Sequence, residues 1–260
     1  MNASDAALLK VEGLTKDFGG LRAVDRCSFE VPRGSIFGLI GPNGSGKTTV
    51  FNLVTGFLEP TEGRVFFNGH DITGLRPHEV ARYGIARTFQ LVRTFNRMTV
   101  MENLLLGVQH QPGENLLWGI LQTPYVRRQE RQAIERARAL LSIVGLEHAA
   151  NEYCGNLSYA EQKMVELTRA LMSDPQLVML DEPTSGINPT LVNRILDYIR
   201  QLREEQGKTF LVVEHDMRVI MNLCDRIAVL DYGQKIAEGT PAEICANAAV
   251  IDAYLGTCAP

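Results

Sequence analysis

The segment Gly41-Pro42-Asn43-Gly44-Ser45-Gly46-Lys47-Thr48-Thr49 gathers three glycines, a lysine and two threonines into one short stretch. Such a stretch can cradle a chain of phosphates. Glycines let the backbone curl until successive N–H groups, and the start of the helix that follows, face an anion. Lys47 would bring a positive charge to the outer phosphates, and the Thr48 hydroxyl is placed for Mg²⁺. A glycine-rich turn would match this pattern by accident in about one chain per hundred. Here the apolar run Ile36–Ile40 stands directly before it, and a helix is expected from the lysine to about Thr55. Strand, glycine loop and helix follow one another as the mechanism demands. The stretch predicts a nucleotide site.

A second constellation is Leu177-Val178-Met179-Leu180, four apolar residues that run into Asp181, Glu182 and Pro183. A buried strand ending at Asp181 can hold Mg²⁺ through water, while Glu182 faces a γ-phosphate and orients or deprotonates the attacking water. A strand that merely ends in a charged turn explains the pair equally well in isolation. Beside a phosphate loop the functional reading prevails. Thr209–Val213 is a further apolar strand with His215 just past its end. Strand ends on one side of a parallel sheet converge on the ligand crevice, so His215 is expected to reach the γ-phosphate. His70, His78, His110 and His148 fall in turn or helix contexts without a recognisable partner and read as surface residues.

A third is Leu157-Ser158-Tyr159-Ala160-Glu161-Gln162, ahead of a helix with Met164, Leu167 and Leu171 on one face. Ser158 and Glu161 form an S-x-x-E capping box, which accounts for the pattern by itself. The same helix start could also offer its N–H groups to an anion. The residues alone leave both readings open.

These residues need elements to hold them. Leu8–Leu14, Cys27–Val31, Ser35–Ile40 and Gly63–Phe67 read as strands in the first third. From Thr99 to about Leu146 the chain reads as helical, broken at 110–123. Thr123 then serves as N-cap, Pro124 as first helical residue and Gly145 as the stop. The last third alternates strands (Leu177–Leu180, Thr209–Val213, Arg226–Leu230) with helices (Thr190–Glu205, Met217–Leu223). That alternation implies a largely parallel sheet with crossovers.

Composition narrows the class further. The 260 residues are 45% hydrophobic and 22% charged, enough for a full core. A formal net charge of −4 gives no nucleic-acid footprint. The Arg-rich stretch Arg127–Arg138 includes Glu130 and Glu135 and reads as a solvated helix face. Five cysteines without a CxxC pair argue against a zinc site or a disulfide framework and suit a reducing cytoplasm. The N-terminus has no signal-peptide pattern, and no run approaches the roughly 18 apolar residues of a bilayer span. A membrane connection must come through a partner. The absence of an Asn-Lys-x-Asp motif disfavours a GTPase.

In this order, with Gln90 after a strand and Ser185-Gly186-Ile187-Asn188 after the acidic pair, the residues resemble the ABC ATPase family over the whole chain. The resemblance implies an α/β cassette: a RecA-like, mainly parallel core, an N-terminal antiparallel β subdomain and an inserted helical subdomain. Its expected limits are one domain over 1–260, the helical part at 96–172 and a C-terminal helical tail at 238–260. It implies ATP and Mg²⁺, with Phe18 stacked on adenine and Gln90 touching the metal and the attacking water. Glu182 would be the general base, Asp181 would hold the metal's water shell, and His215 would sense the γ-phosphate. Two such domains meet head to tail, so Ser158, Tyr159, Ala160 and Glu161 would serve the partner's ATP.

Gly84–Gln90, Met98–Asn103, the 108–123 insert, Val213–Met217 and Ile251–Gly256 look more narrowly like the ATP-binding subunits of branched-chain amino acid importers. That implies permease subunits, a second ATP-binding subunit and, indirectly, a solute-binding protein, with this chain peripheral on the cytoplasmic face of the membrane. The apolar insert around Trp118 is expected to dock the permease, core packing being the competing reading. A non-transport ABC ATPase, such as an iron–sulfur assembly subunit, is the alternative. Two-cassette ribosome or DNA-repair ATPases need duplicated cassettes or coiled-coil arms, which this chain lacks. Ala160 departs from the family, standing where glycine is usual. Alanine is unstrained in helical backbone, so the departure touches approach distance to the partner's ATP rather than the fold.

Overall fold

Residues 7–88, 93–109 and 124–254 are described by the computed structural model. They fall into two compact units, one of Met1–Arg87, Gln176–Pro183 and Ile199–Pro260, the other of Thr88–Pro175 and Thr184–Tyr198.

The first unit holds two sheets. β1 (Ala7–Phe18), β2 (Leu21–Pro32), β4 (Glu62–Phe67) and β5 (His70–Asp71) pair antiparallel in the order β2-β1-β4-β5. β3 (Ile36–Ile40), β6 (Ile85–Arg87), β7 (Leu177–Asp181), β8 (Thr209–Val213), β9 (Arg226–Asp231) and β10 (Gln234–Gly239) form the other, in the order β10-β9-β3-β8-β7-β6. Every pair in it is parallel except β10 with β9. β3, β7 and β8 are buried at every position, as parallel strands covered on both faces should be. This is why they read as unbroken apolar runs rather than alternating ones. β3 lies between β8 and β9, so the chain leaves it with neighbours on both sides, and a crevice is expected beyond its carboxyl end.

One core cluster joins residues of both sheets to α1 (Lys47–Val54), through Phe29, Phe37, Phe51 and Phe67 among others. Phe29 and Phe37 stack with centroids 5.6 Å apart. Each buried ring of this kind contributes about 1.5–3 kcal/mol. The unit is completed by α2 (Pro77–Arg82), α7 (Met217–Leu223), α8 (Pro241–Cys245) and α9 (Ala248–Tyr254). Cys27, Cys154 and Cys224 are buried thiols and Cys245 is half-buried, all free; Cys258 lies outside the described residues.

The second unit is helical: α3 (Val100–Leu105), α4 (Pro124–Ile143), α5 (Tyr159–Leu171) and the opening turns of α6 (Pro189–Gln206). α4 starts at Pro124 as the sequence predicts, and Gly145 follows its end with φ +69°; the expected cap Thr123 lies outside the described residues. Its inner face is Val126, Ala137, Leu140 and Leu141. Arg127, Arg128, Arg131 and Arg138 point to solvent, in keeping with a solvated face. Arg136 does not. Its guanidinium donates to the Leu171 carbonyl at 3.0 Å and to Asp174 at 2.9 Å, tying α4 to the end of α5. Among the described residues no helix is long and apolar enough to cross a membrane.

Candidate nucleotide site

In the first unit the glycine loop connects β3 to α1. Gly46 is the N-cap of α1 with φ +99°, and a Cβ there would lie 2.5 Å from the Ala23 carbonyl oxygen. At Gly41 a Cβ would lie 2.2 Å from the Leu230 carbonyl oxygen. Only glycine fits either position. The loop is clamped from outside, Gly233 N donating to Ser45 O at 3.1 Å. Because Gly46 has no side chain to cap α1, the first-turn N–H groups remain for an anion.

Lys47 is 8% exposed, and its Nζ donates to Gly41 O (2.7 Å), Pro42 O (2.8 Å) and Ser45 Oγ (3.4 Å). Burial pushes its pKa down, while the charges of Glu182 and Asp181 oppose that shift. The cation and both carboxylates therefore share one field. Asp181 closes β7, buried, and burial pushes its carboxyl above the usual carboxylate range against the opposing pull of the Arg87 guanidinium. Glu182 follows with φ +49°, a left-handed conformation that non-glycine residues seldom adopt and that costs about 1–3 kcal/mol. Its N–H donates to Val213 O at 2.9 Å, which pins it to the end of β8. His215, past that end, has Nδ1 3.7 Å from Glu182 Oε1 and 3.8 Å from the buried Glu214 Oε2. Its side chain stays 59% exposed. Lys47, Asp181, Glu182 and His215 thus collect at the carboxyl ends of β3, β7 and β8.

The donor set also suits Mg²⁺. Thr48 presents an exposed hydroxyl on the first turn of α1, and Asp181 a carboxylate, all hard oxygens. Among the described residues no three His, Cys, Asp or Glu cluster closely enough to hold a metal by themselves. An ion here would be one that keeps waters and phosphate oxygens as ligands, as Mg²⁺ does. Phe18, half-exposed, ends β1 before the turn into β2, with Lys16 Nζ 5.3 Å from its ring centroid. Gln90 lies outside the described residues.

The serine-capped helix belongs to the second unit. Ser158 N and Oγ donate to Glu161 Oε2 at 2.8 and 2.6 Å, and Glu161 N returns a bond to Ser158 Oγ at 3.4 Å. The Ser158 bonds hold the Glu161 carboxyl below the usual range, and His148 adds to this. His148 itself is exposed, the surface residue that its sequence context predicts. Ala160 is buried within the first turn of α5. Lys163 Nζ donates to Ser185 O at 2.9 Å and lies 5.6 Å from the Tyr159 ring centroid, joining α5 to the Ser185–Asn188 loop.

The sequence reading missed Arg87. A lone cation in the short strand before Phe89-Gln90 was its only signal.

Residues 24–185 match the family described as ABC transporter. The chain belongs to that family. Residues 234–257 match a second description, branched-chain amino acid ATP-binding cassette transporter. BraF of Pseudomonas aeruginosa, a high-affinity branched-chain amino acid transport ATP-binding protein, is 45% identical over 249 residues, 96% of this chain and 98% of BraF. The crystal structure of a nucleotide-free ATP-binding cassette from an ABC transporter superposes with a TM-score of 0.83 at 37% identity, covering 96% of this chain and all of that one. A dimeric structure of a bacterial ABC transporter cassette has a TM-score of 0.74 at 27% identity, covering 90% and 98%. The ABC cassette architecture expected from sequence is therefore the fold observed. Relatives such as BraF are transport ATP-binding proteins, which supports the importer reading over the iron–sulfur alternative.

Proposed function

We propose that this chain binds and hydrolyses ATP to drive an importer of branched-chain or related amino acids. The observation that carries the reading is the meeting of Lys47, Asp181, Glu182 and His215 at one strand-end crevice beside a glycine loop shaped for phosphate. The amino-acid class rests on the likeness to BraF and on the match of the C-terminal segment.

In this reading the loop 41–49 wraps the phosphates, Lys47 turns from its own carbonyls to the outer phosphates, and Phe18 stacks on the base. Mg²⁺ would be held by Thr48, Gln90 and, through water, Asp181, and supplies charge neutralisation between the outer phosphates. Glu182 accepts a proton from the attacking water. Its left-handed backbone and its bond to Val213 fix the main chain that carries the carboxylate before substrate arrives. His215, exposed beside it, donates to the γ-phosphate. Ser158, Tyr159, Ala160 and Glu161 complete the ATP site of a second cassette paired head to tail; the dimeric structure of a bacterial ABC transporter cassette supports the pairing as such. Permease subunits anchor the pair, peripheral on the cytoplasmic face, and a solute-binding protein delivers the amino acid. The insert around Trp118, which would dock the permease, lies outside the described residues.

Proteoliposomes containing the chain, its sister cassette and permease, supplied with the solute-binding protein, should take up a branched-chain amino acid only with ATP inside the cytoplasmic compartment. ATPase activity without uptake of any amino acid would overturn the substrate assignment.

A further inference from the structure

Arg87 sits on β6 with its side chain 8% exposed, facing an equally buried Asp181 on the next strand. Its Nη2 donates to Asp181 Oδ2 at 3.1 Å. Its Nη1 donates to Asn52 Oδ1 at 2.7 Å and to Thr55 Oγ1 at 3.1 Å. Asn52 lies on α1, the helix that begins at Lys47, and Thr55 is that helix's C-cap. Thr55 is itself fixed, its hydroxyl donating to Phe51 O at 2.6 Å. The guanidinium carbon lies 5.5 Å from the Phe51 ring centroid and 5.7 Å from that of Phe57, so two aromatic rings lie within cation–π distance of it.

One planar cation therefore fastens the acidic strand end to the far end of the phosphate-loop helix. Among the described residues no donor reaches Asp181 Oδ1. The pairing takes one carboxylate oxygen and leaves the other to accept. A free Asp side chain rotates about two bonds; this one is held through Oδ2 by a group that is itself held at three points. Lysine could not do the same, because an ammonium lacks the fixed fork that spans Asn52, Thr55 and Asp181 at once.

We infer that Arg87 is a positioning residue for the metal of the nucleotide site: it aims Asp181 at the ion's water shell and locks that aim to the helix carrying Lys47 and Thr48. The inference rests on the ATPase reading above and deepens it. Residues that orient a metal-facing group typically contribute 10–100-fold to metal affinity. A purely structural ion pair would instead move stability and nucleotide binding together.

The test uses the full 260-residue chain with the non-hydrolysable analogue AMP-PNP and Mn²⁺ as paramagnetic probe. Arg87→Gln should weaken Mn²⁺ binding to the chain–AMP-PNP complex by about tenfold, while AMP-PNP affinity in EDTA shifts by less than about twofold. Arg87→Lys should fall between. The double variant Arg87→Gln with Asp181→Asn removes the uncompensated buried carboxylate, which keeps the comparison available if Arg87→Gln folds poorly. On the Asp181→Asn background the further loss from Arg87→Gln should vanish. Unchanged Mn²⁺ affinity in Arg87→Gln, or a loss that persists at full size without the Asp181 carboxylate, overturns the assignment. Lys47→Ala is the control for the underlying site: if that variant binds AMP-PNP like wild type, the nucleotide reading fails, whatever Arg87 does.

Discussion

His215 Nδ1 lies 3.7 Å from Glu182 Oε1, although the two residues follow different strands. The separation is beyond a hydrogen bond and within reach of charge. In the proposed hydrolysis Glu182 would take a proton from water while His215 turns outward to the phosphate.

Glu182→Gln should keep ATP affinity and lose turnover by roughly 10²–10⁴-fold, the usual contribution of a positioned base. A stable ATP-bound dimer should accumulate on a sizing column. Wild-type turnover in this variant would remove Glu182 from the chemistry.

Gly46→Ala should cripple the phosphate loop without removing a single polar side chain. Its Cβ would lie 2.5 Å from the Ala23 carbonyl oxygen, at a φ of +99° that alanine rarely adopts. Calorimetric titration should show ATP binding lost or weakened at least about tenfold, since a backbone shift of this kind costs more than 1.4 kcal/mol. Normal affinity would mean that the loop is softer than this geometry implies.

Ala160→Gly separates the two sites of a cassette pair. The substitution sits in the first turn of α5 and would act on the partner's ATP, while Lys47 and Glu182 would serve the chain's own. Glycine in a helix costs about 0.5–1 kcal/mol, but the Ser158–Glu161 capping box already fixes that turn. In a pair whose own site is silenced by Glu182→Gln, turnover at the partner's site should rise modestly or hold level. Collapse of the remaining activity would show that alanine is required there.

The same capping box predicts a pH dependence. Ser158 bonds hold the Glu161 pKa below its ordinary 4.5 in the folded chain. A carboxylate with a depressed folded pKa stabilises fully above its unfolded value and loses that contribution as pH falls through the folded one. Wild type should therefore be more stable than Glu161→Gln at pH 7, by up to about 1 kcal/mol as for other helix caps. The two thermal melting curves should draw together below about pH 4.5, the unfolded-state value. A gap that stays constant down to pH 3 would show that the carboxylate's charge is irrelevant to the cap.

The phosphate loop, the S-x-x-E box and the fully apolar strands β3, β7 and β8 were legible in the linear sequence because each depends on residues a few positions apart. A capping bond spans three residues, and a strand buried on both faces has no polar side to show. The helix beginning at Pro124 was legible for the same reason. What the sequence determined by itself was thus the family of local parts and their order, which restricts the chain to a phosphate-binding α/β cassette. The pairing of Arg87 with Asp181 spans 94 residues and exists only because β6 lies beside β7 in the sheet. Likewise, Arg136 leaves the solvated face of its helix because the fold brings the Leu171 carbonyl at the end of α5 within its reach. The left-handed backbone of Glu182 is imposed where its N–H must reach Val213 across to β8. Those partners are chosen by crossover connections and sheet order, whose energy comes from the whole buried core; no stretch of neighbouring residues carries that information, so tertiary structure alone decided them.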